Sequence, residues 1–398
     1  MYRVALALFL FFLMQTVHAE LSVDYGADAY VRWYSNSNEV RGFLFPSETG
    51  KKQGFAQMMR LRLDLKHEEG VSLKTRTLLV GDKWGGDNPK NNSAISGNSD
   101  DIGGGYTVRM DYGFLEYAKP GFLFRAGRQE SNWAECLTNC DDRRDRFLVM
   151  IPAFDGFIIA VADKRESGLE TRDGDDGDML GLLYLRYGGN YEAGILAAYW
   201  NNSDKTYPLT GVTNISPYVK FRHKDLNVNL LANWVGMGSS KSWYPDHHYA
   251  VALQSGYQLT EKWKVEAQTL QIRNAGYIST GFDTYLSMVN NNPEHNQSNI
   301  SAFRLGAFGT FFSGGRDASE YLYSVRTHYA LTDKWQLGIA GGLFSNYQFF
   351  TKKTHKHEAI DATAKYQLTS RALIRGSFGR VLGDKQVTTS AVNFEASF

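Results

Sequence analysis

The sequence predicts an all-β fold: a transmembrane antiparallel up-and-down β-barrel of about 18 strands, with totals from 16 to 20 left open. Three observations point there. Apolar and polar residues alternate through Ala391-Val392-Asn393-Phe394-Glu395-Ala396-Ser397-Phe398, putting one apolar and one polar row on opposite faces of a strand. A short phrase recurs in Tyr257-Gln258-Leu259-Thr260-Glu261-Lys262-Trp263, Tyr329-Ala330-Leu331-Thr332-Asp333-Lys334-Trp335 and Tyr366-Gln367-Leu368-Thr369-Ser370-Arg371. Tight polar turns flanked by aromatic residues suit the short-turn rim of a membrane barrel, where aromatic girdles meet the interface. Finally, Met1-Tyr2-Arg3, the apolar run Val4 to Met14 and Val17-His18-Ala19 have the charge, length and small-residue ending of a secretory signal peptide. Residues 1–19 are therefore expected to be an export signal and 20–398 a single barrel domain.

Composition narrows the classes. Beyond residue 20 no apolar run reaches the roughly 20 residues of a spanning helix, and mean hydropathy is negative. Yet 14% of residues are aromatic and 39 are Gly, as half-apolar strands and tight turns allow. A formal net charge of +1 argues against nucleic acid as a partner. Two cysteines exclude a disulfide-framework fold.

Alternation and turn chemistry place rising strands near 22–35, 71–83, 121–131, 156–166, 191–201, 226–236, 263–273, 335–346 and 371–382. Descending strands lie near 55–67, 106–118, 145–152, 178–187, 212–222, 246–258, 319–331, 355–367 and 387–398. Both ends then fall on the short-turn side, and the last strand should pair with the first near Val23 to Trp33. The long connections 36–54, 85–105, 167–177, 202–211, 237–245 and 274–318 are rich in Gly, Asn, Asp and Ser. The last is too long for a bare loop, so it either folds into or over the lumen or hides a hairpin around Ile300 to Gly309.

An Arg or Lys on the lipid face costs about 2–4 kcal/mol at mid-bilayer, so the cations that alternate with apolar rows should point inward. That reading turns Arg60, Arg62, Lys74, Arg76, Arg109, Lys220, Arg222 and Arg326 into the lumen. It sends Val108, Met110, Tyr112 and Phe114 outward, away from Arg109 and Asp111. Basic side chains then outnumber acidic ones on the inner wall, which favours anions.

In Phe124-Arg125-Ala126-Gly127-Arg128-Gln129-Glu130, followed by the segment Asn132 to Asp145, the sequence resembles the general diffusion porins of Gram-negative bacteria. In that family a Gly-Arg strand end leads into an inward-folded outer loop. The resemblance implies that Glu135, Asp141 and Asp142 stand on a constriction loop facing Arg60, Arg62, Arg128 and Arg144 on the wall. A count of 18 strands also resembles larger substrate-specific and alginate-export-like barrels. Terminal Phe398 resembles the signal read by the outer-membrane assembly machinery. Outer-membrane lipid and lipopolysaccharide, that machinery, small and anionic solutes, and a homotrimer are the partners the resemblance implies.

Cys136 and Cys140 are disulfide candidates, given oxidising conditions outside the cytoplasm, with free thiols or a metal pair as the alternatives. No His or third Cys stands close enough to complete a zinc site. The acidic run Asp173 to Asp178 lacks calcium-loop spacing and reads as a solvated loop. No nucleophile-elbow or zincin motif occurs, so neither an enzyme nor a cofactor is expected. The combined expectation is a passive channel in the Gram-negative outer membrane for small hydrophilic solutes, with an anion-leaning lumen. The alternatives are a conduit for an acidic polysaccharide and a plugged barrel serving as a receptor or structural protein.

Overall fold

The computed structural model describes residues 21–36, 52–83, 108–166, 177–202, 209–239, 247–274, 276–279, 281–290, 300–306, 318–348, 353–383 and 386–398. Residues 1–19, and most of the long connections including 173–176, lie outside the described residues. Eighteen antiparallel strands form one sheet. They are β1 (Leu21–Asn36), β2 (Lys52–His67), β3 (Val71–Lys83), β4 (Arg109–Lys119), β5 (Phe122–Trp133) and β6 (Asn139–Ala153). Then follow β7 (Gly156–Glu166), β8 (Gly177–Tyr187), β9 (Tyr191–Asn202), β10 (Leu209–His223), β11 (Leu226–Ser239) and β12 (His247–Thr260). The last six are β13 (Trp263–Arg273), β14 (Glu320–Ala330), β15 (Trp335–Gln348), β16 (Lys353–Thr369), β17 (Ala372–Gly383) and β18 (Val387–Ser397).

The sheet closes where β18 meets β1, with Val392 opposite Trp33, Phe394 opposite Val31 and Ala396 opposite Ala29. Phe398 completes the seam: its backbone N–H donates to Ala27 O (2.8 Å) and its carbonyl accepts from Ala27 N (3.1 Å). Closure leaves no unpaired strand edge, which a bilayer requires. Val392, Phe394 and Phe398 are exposed on the outer row, as the alternation requires.

The recurrent phrase builds one turn three times. Its threonine hydroxyl accepts a backbone N–H two residues on: Lys262 N to Thr260 Oγ1 (3.3 Å), Lys334 N to Thr332 Oγ1 (3.2 Å) and Arg371 N to Thr369 Oγ1 (3.2 Å). The carbonyl of that Lys or Arg then accepts from a neighbouring strand, at Ala330 N (2.8 Å), Gln367 N (2.8 Å) and Ser397 N (2.9 Å). Thr does this where Leu could not, since only a hydroxyl can take the orphaned donor. The flanking Trp335 and Tyr366 rings lie 4.7 Å apart on the same rim. At the β2–β3 turn Gly70 has φ +87°, and a Cβ there would sit 2.2 Å from Ala118 O, so a side chain would break the contact with β4.

Two departures from the simple alternation matter. In β4, Arg76 stands opposite Tyr112 while Thr77 stands opposite Met110, so Asp111 is the extra residue of a bulge. The bulge reverses the row beyond it. Phe114, expected outside, is buried beneath the Arg125 guanidinium (5.4 Å to the ring), and Tyr112 lies under that of Arg76 (4.7 Å). Second, β6 begins at Asn139, not near 145, and its extra residues continue a hairpin with β5.

Candidate functional site: the lumen and its inward segments

The inner face of β1–β7 is a lattice of arginines and carboxylates. Arg60 pairs with Asp28 (2.8 Å), and Arg62 with Asp24 (3.4 Å) and Asp64 (4.0 Å). Glu116 receives both Lys74 (2.7 Å) and Arg125 (2.6 Å). Arg76 bonds Asp111 and Glu130, and Arg143 reaches Asp111 from the other side (2.6 Å). Arg146 holds Asp163 through two nitrogens (2.9 and 3.0 Å). Most of these pairs join adjacent strands at matching depth, where register brings opposite charges into contact, while Arg76–Glu130 and Arg143–Asp111 each reach past an intervening strand.

The β5–β6 hairpin leaves the wall. Pairing of β5 with β4 stops where Arg128 faces Gly113, yet pairing with β6 continues to Trp133 opposite Asn139. Once free of β4, the hairpin can bury side chains from both faces, which is why Gln129 and Arg143 are both buried although neighbours alternate. Its tip crosses to β10: Trp133 Nε1 donates to Ser216 O (2.9 Å), Thr138 and Ser216 share a hydroxyl hydrogen bond, and the Trp133 ring meets Tyr218 edge-on (5.1 Å). Ala134, Glu135 and Cys136 all have positive φ (51°, 51° and 67°), a strained run. A disulfide joins Cys136 to Cys140 (S–S 2.11 Å) across that tip.

A second inward segment comes from the β13–β14 connection. Its described residues add no barrel strand; the one isolated bridge among them joins Val289 to Phe303. The segment is apolar, and Ile278, Phe282, Leu286, Met288, Val289, Ile300, Phe303 and Leu305 are buried against Leu270, Leu322, Phe344, Val381 and Val387 of the wall. Phe303 and Phe344 pack edge to face (5.0 Å). Wall side chains also satisfy its backbone: Asp361 accepts from Ser287 N (2.8 Å), Glu320 from Gly306 N (2.6 Å) and Gln268 from Tyr285 N (2.8 Å). Ser279 N donates to Leu137 O (2.7 Å), joining the two inward segments across the lumen.

Beneath this junction, on the short-turn side, lies a cavity of about 850 Å³. On one flank Lys220 bonds Glu135 and Glu192 (3.2 Å to the latter), and Tyr218 donates to Glu192 (2.7 Å). On the other, Glu266 gathers Lys264 (2.7 Å), Arg326 (2.6 Å) and His328 (3.4 Å), while Arg326 lies 4.0 Å over the Tyr285 ring. On the inward segment, burial and the nearby Glu266 carboxylate push the Tyr285 phenol up to about 12. Among the described residues no cluster of His, Cys, Asp or Glu suits a metal ion.

The residues expected to act thus divide. Lys220, Arg326 and Glu135 line the cavity; Arg60, Arg62, Lys74 and Arg76 belong to the wall lattice. Asp142 lies in β6 rather than on a loop, where it accepts a hydrogen bond from Arg144 (3.1 Å) and forms a looser ion pair with Arg146 (3.6 Å). Asp141 is also in β6, with its side chain outside the described residues. Arg128 stands opposite Gly113 and Asp145, Arg109 opposite Leu78, and Arg222 opposite Asn227 near the short-turn rim. Sequence reasoning turned Asp111 inward without giving it a role, and it assigned none to Glu192, Glu266 and Glu130. For Glu266 the signal was present, since it alternates inward between Lys264 and Gln268.

No protein family and no curated protein sequence matches the chain. Solved structures do. The fold is similar to that of Pseudomonas aeruginosa OpdL (TM-score 0.61, 9% identity, 95% of this chain and 99% of that one). It is similar also to P. aeruginosa OpdQ (0.57, 8%, 94% and 98%) and Acinetobacter baumannii OccAB3 (0.57, 9%, 94% and 99%). Those neighbours are outer-membrane porins of the OprD/Occ type. The chain shares their fold, a closed antiparallel β-barrel of 18 strands.

Proposed function

We propose that the protein is a passive channel of the Gram-negative outer membrane for small hydrophilic solutes, delivered there by an export signal in residues 1–19. The observation that carries the proposal is the pairing of an apolar outer belt with a charged inner wall around a cavity that two inward segments narrow without filling. Such a channel needs no energy source: solutes run down their gradient, and width and wall charge select among them. Likeness to the OprD/Occ porins supports the same reading. Anion preference would be weak, because most wall cations have a carboxylate in contact. It would rest on Arg62 and Lys66, which share Asp24 at 3.4 and 3.9 Å but whose side chains keep 46% and 48% of their surface exposed. A homotrimer is the assembly the porin resemblance suggests, to be read from the mass of the detergent-solubilised protein.

Liposome swelling tests the function. Vesicles containing the full-length protein should swell in isotonic arabinose or glycine faster than in a large dextran. Rates equal to those of empty vesicles would leave the plugged-barrel alternative standing.

A further inference from the structure

We infer that the cavity beneath the inward segments is a recognition site for neutral polyhydroxylated solutes of mono- or disaccharide size, an inference that rests on the channel reading above.

Charge excludes the obvious competitors. Five carboxylates line the cavity (Glu135, Glu192, Glu266, Asp283 and Asp361) against four Lys or Arg (Lys220, Arg326, Lys365 and Arg375). The cations are largely spoken for: Lys220 by Glu135 and Glu192, Arg326 by Glu266, and Arg375 by Glu395 (3.3 Å). At Lys220, Arg326 or Arg375 an anionic solute would have to pull the cation from its partner and leave a carboxylate uncompensated in a half-enclosed site, which leaves Lys365, among the described residues, as the one lining cation it could engage without that loss. A cationic solute would face the converse loss at Glu135, Glu192 and Glu266.

The wall between the two ion-paired flanks carries amides instead. β11 and β12 separate β10 from β13, and they contribute Asn227, Asn229 and Gln254 to the lining. Asn229 Nδ2 donates to Gln254 Oε1 (3.2 Å), which aligns the two carboxamides side by side. Each amide offers both donor and acceptor, the combination that a hydroxyl matches without carrying charge. Tyr187, on the inward row of β8, lines the same space and is 55% exposed as a residue. An aromatic ring and donor–acceptor amides lining one cavity suit a sugar, which has apolar C–H faces and hydroxyl edges. The volume, about 850 Å³, lies within the roughly 300–1,000 Å³ of small-molecule sites.

The test is current interruption in planar bilayers containing the full-length protein in potassium chloride, with maltose, its aldonic acid maltobionate and triglycine as probes. Maltose at millimolar concentration should interrupt the current, with interruptions at least tenfold longer than those from maltobionate or triglycine. The double variant Asn229→Leu, Gln254→Leu should shorten the maltose interruptions at least tenfold, and Tyr187→Ala should shorten them too. An open channel that ignores maltose, or that either charged probe interrupts more strongly, overturns the inference and leaves the channel intact. A protein that folds but never conducts overturns both.

Discussion

The two halves of the inner wall are built on different physics. On β1–β7 polar contacts face the lumen, with Arg76, Arg143 and Arg146 meeting Asp111, Glu130 and Asp163. On β12–β18 the inner face carries an apolar patch among polar groups such as Gln268, Glu320 and Asp361, and its Leu322, Phe344 and Val381 are covered by the segment containing Met288 and Phe303. The contrast teaches that a barrel's inner face need not be uniformly wet. One half holds its shape by ion pairing across the register, while the other exchanges water for a docked segment that sets the bore.

The largest expected effect falls on the polar half. Asp163→Leu removes the main partner of Arg146, whose side chain is almost fully buried, and should cost about 3–5 kcal/mol in denaturant unfolding while leaving single-channel conductance near wild type. Met288→Ala should act in the opposite way. It empties a fully buried position beside Gly379 and Thr389, at a cost of about 2–5 kcal/mol. Because that position anchors the inward segment, conductance should rise. If Asp163→Leu widened the channel as much as Met288→Ala, the division of labour between the halves would be wrong.

Replacing Cys136 and Cys140 together by Ser frees only a short loop, so stability should fall by at most about 2 kcal/mol. Current noise should increase, since the strained tip at Ala134 to Cys136 loses a staple. The smallest stability effect belongs to Arg62→Ser with Lys66→Ser. Exposed ion pairs contribute roughly 0–1 kcal/mol, so unfolding should scarcely move. Their expected signature is a reversal potential in a salt gradient shifted toward cations; an unchanged potential would remove β2 from charge selection.

How much of this was legible in the sequence follows the same division. Period-2 alternation located the strands, their closure at Val392 and Phe394, and the threonine turns at residues 260, 332 and 369, because those features depend on near neighbours. The inward cations at Arg60, Lys74, Lys220 and Arg326 followed from the cost of charge in lipid. Alternation failed at Tyr112 and Phe114, where one extra residue reverses the row. It failed also at Asn139 to Asp145, where the hairpin departs from β4 and loses its lipid and lumen faces altogether. The apolar buttress was hidden for a related reason. Residues such as Phe344 are inward and apolar because a distant segment covers them, and no local pattern records that.

Single-channel conductance of the full-length protein in planar bilayers tests the central claim most directly. The account predicts discrete current steps from the wild type, and larger steps from Met288→Ala as the docked segment loosens. Folded protein that inserts and gives no steps, or a Met288→Ala variant whose steps match the wild type despite the expected loss of stability, would contradict it.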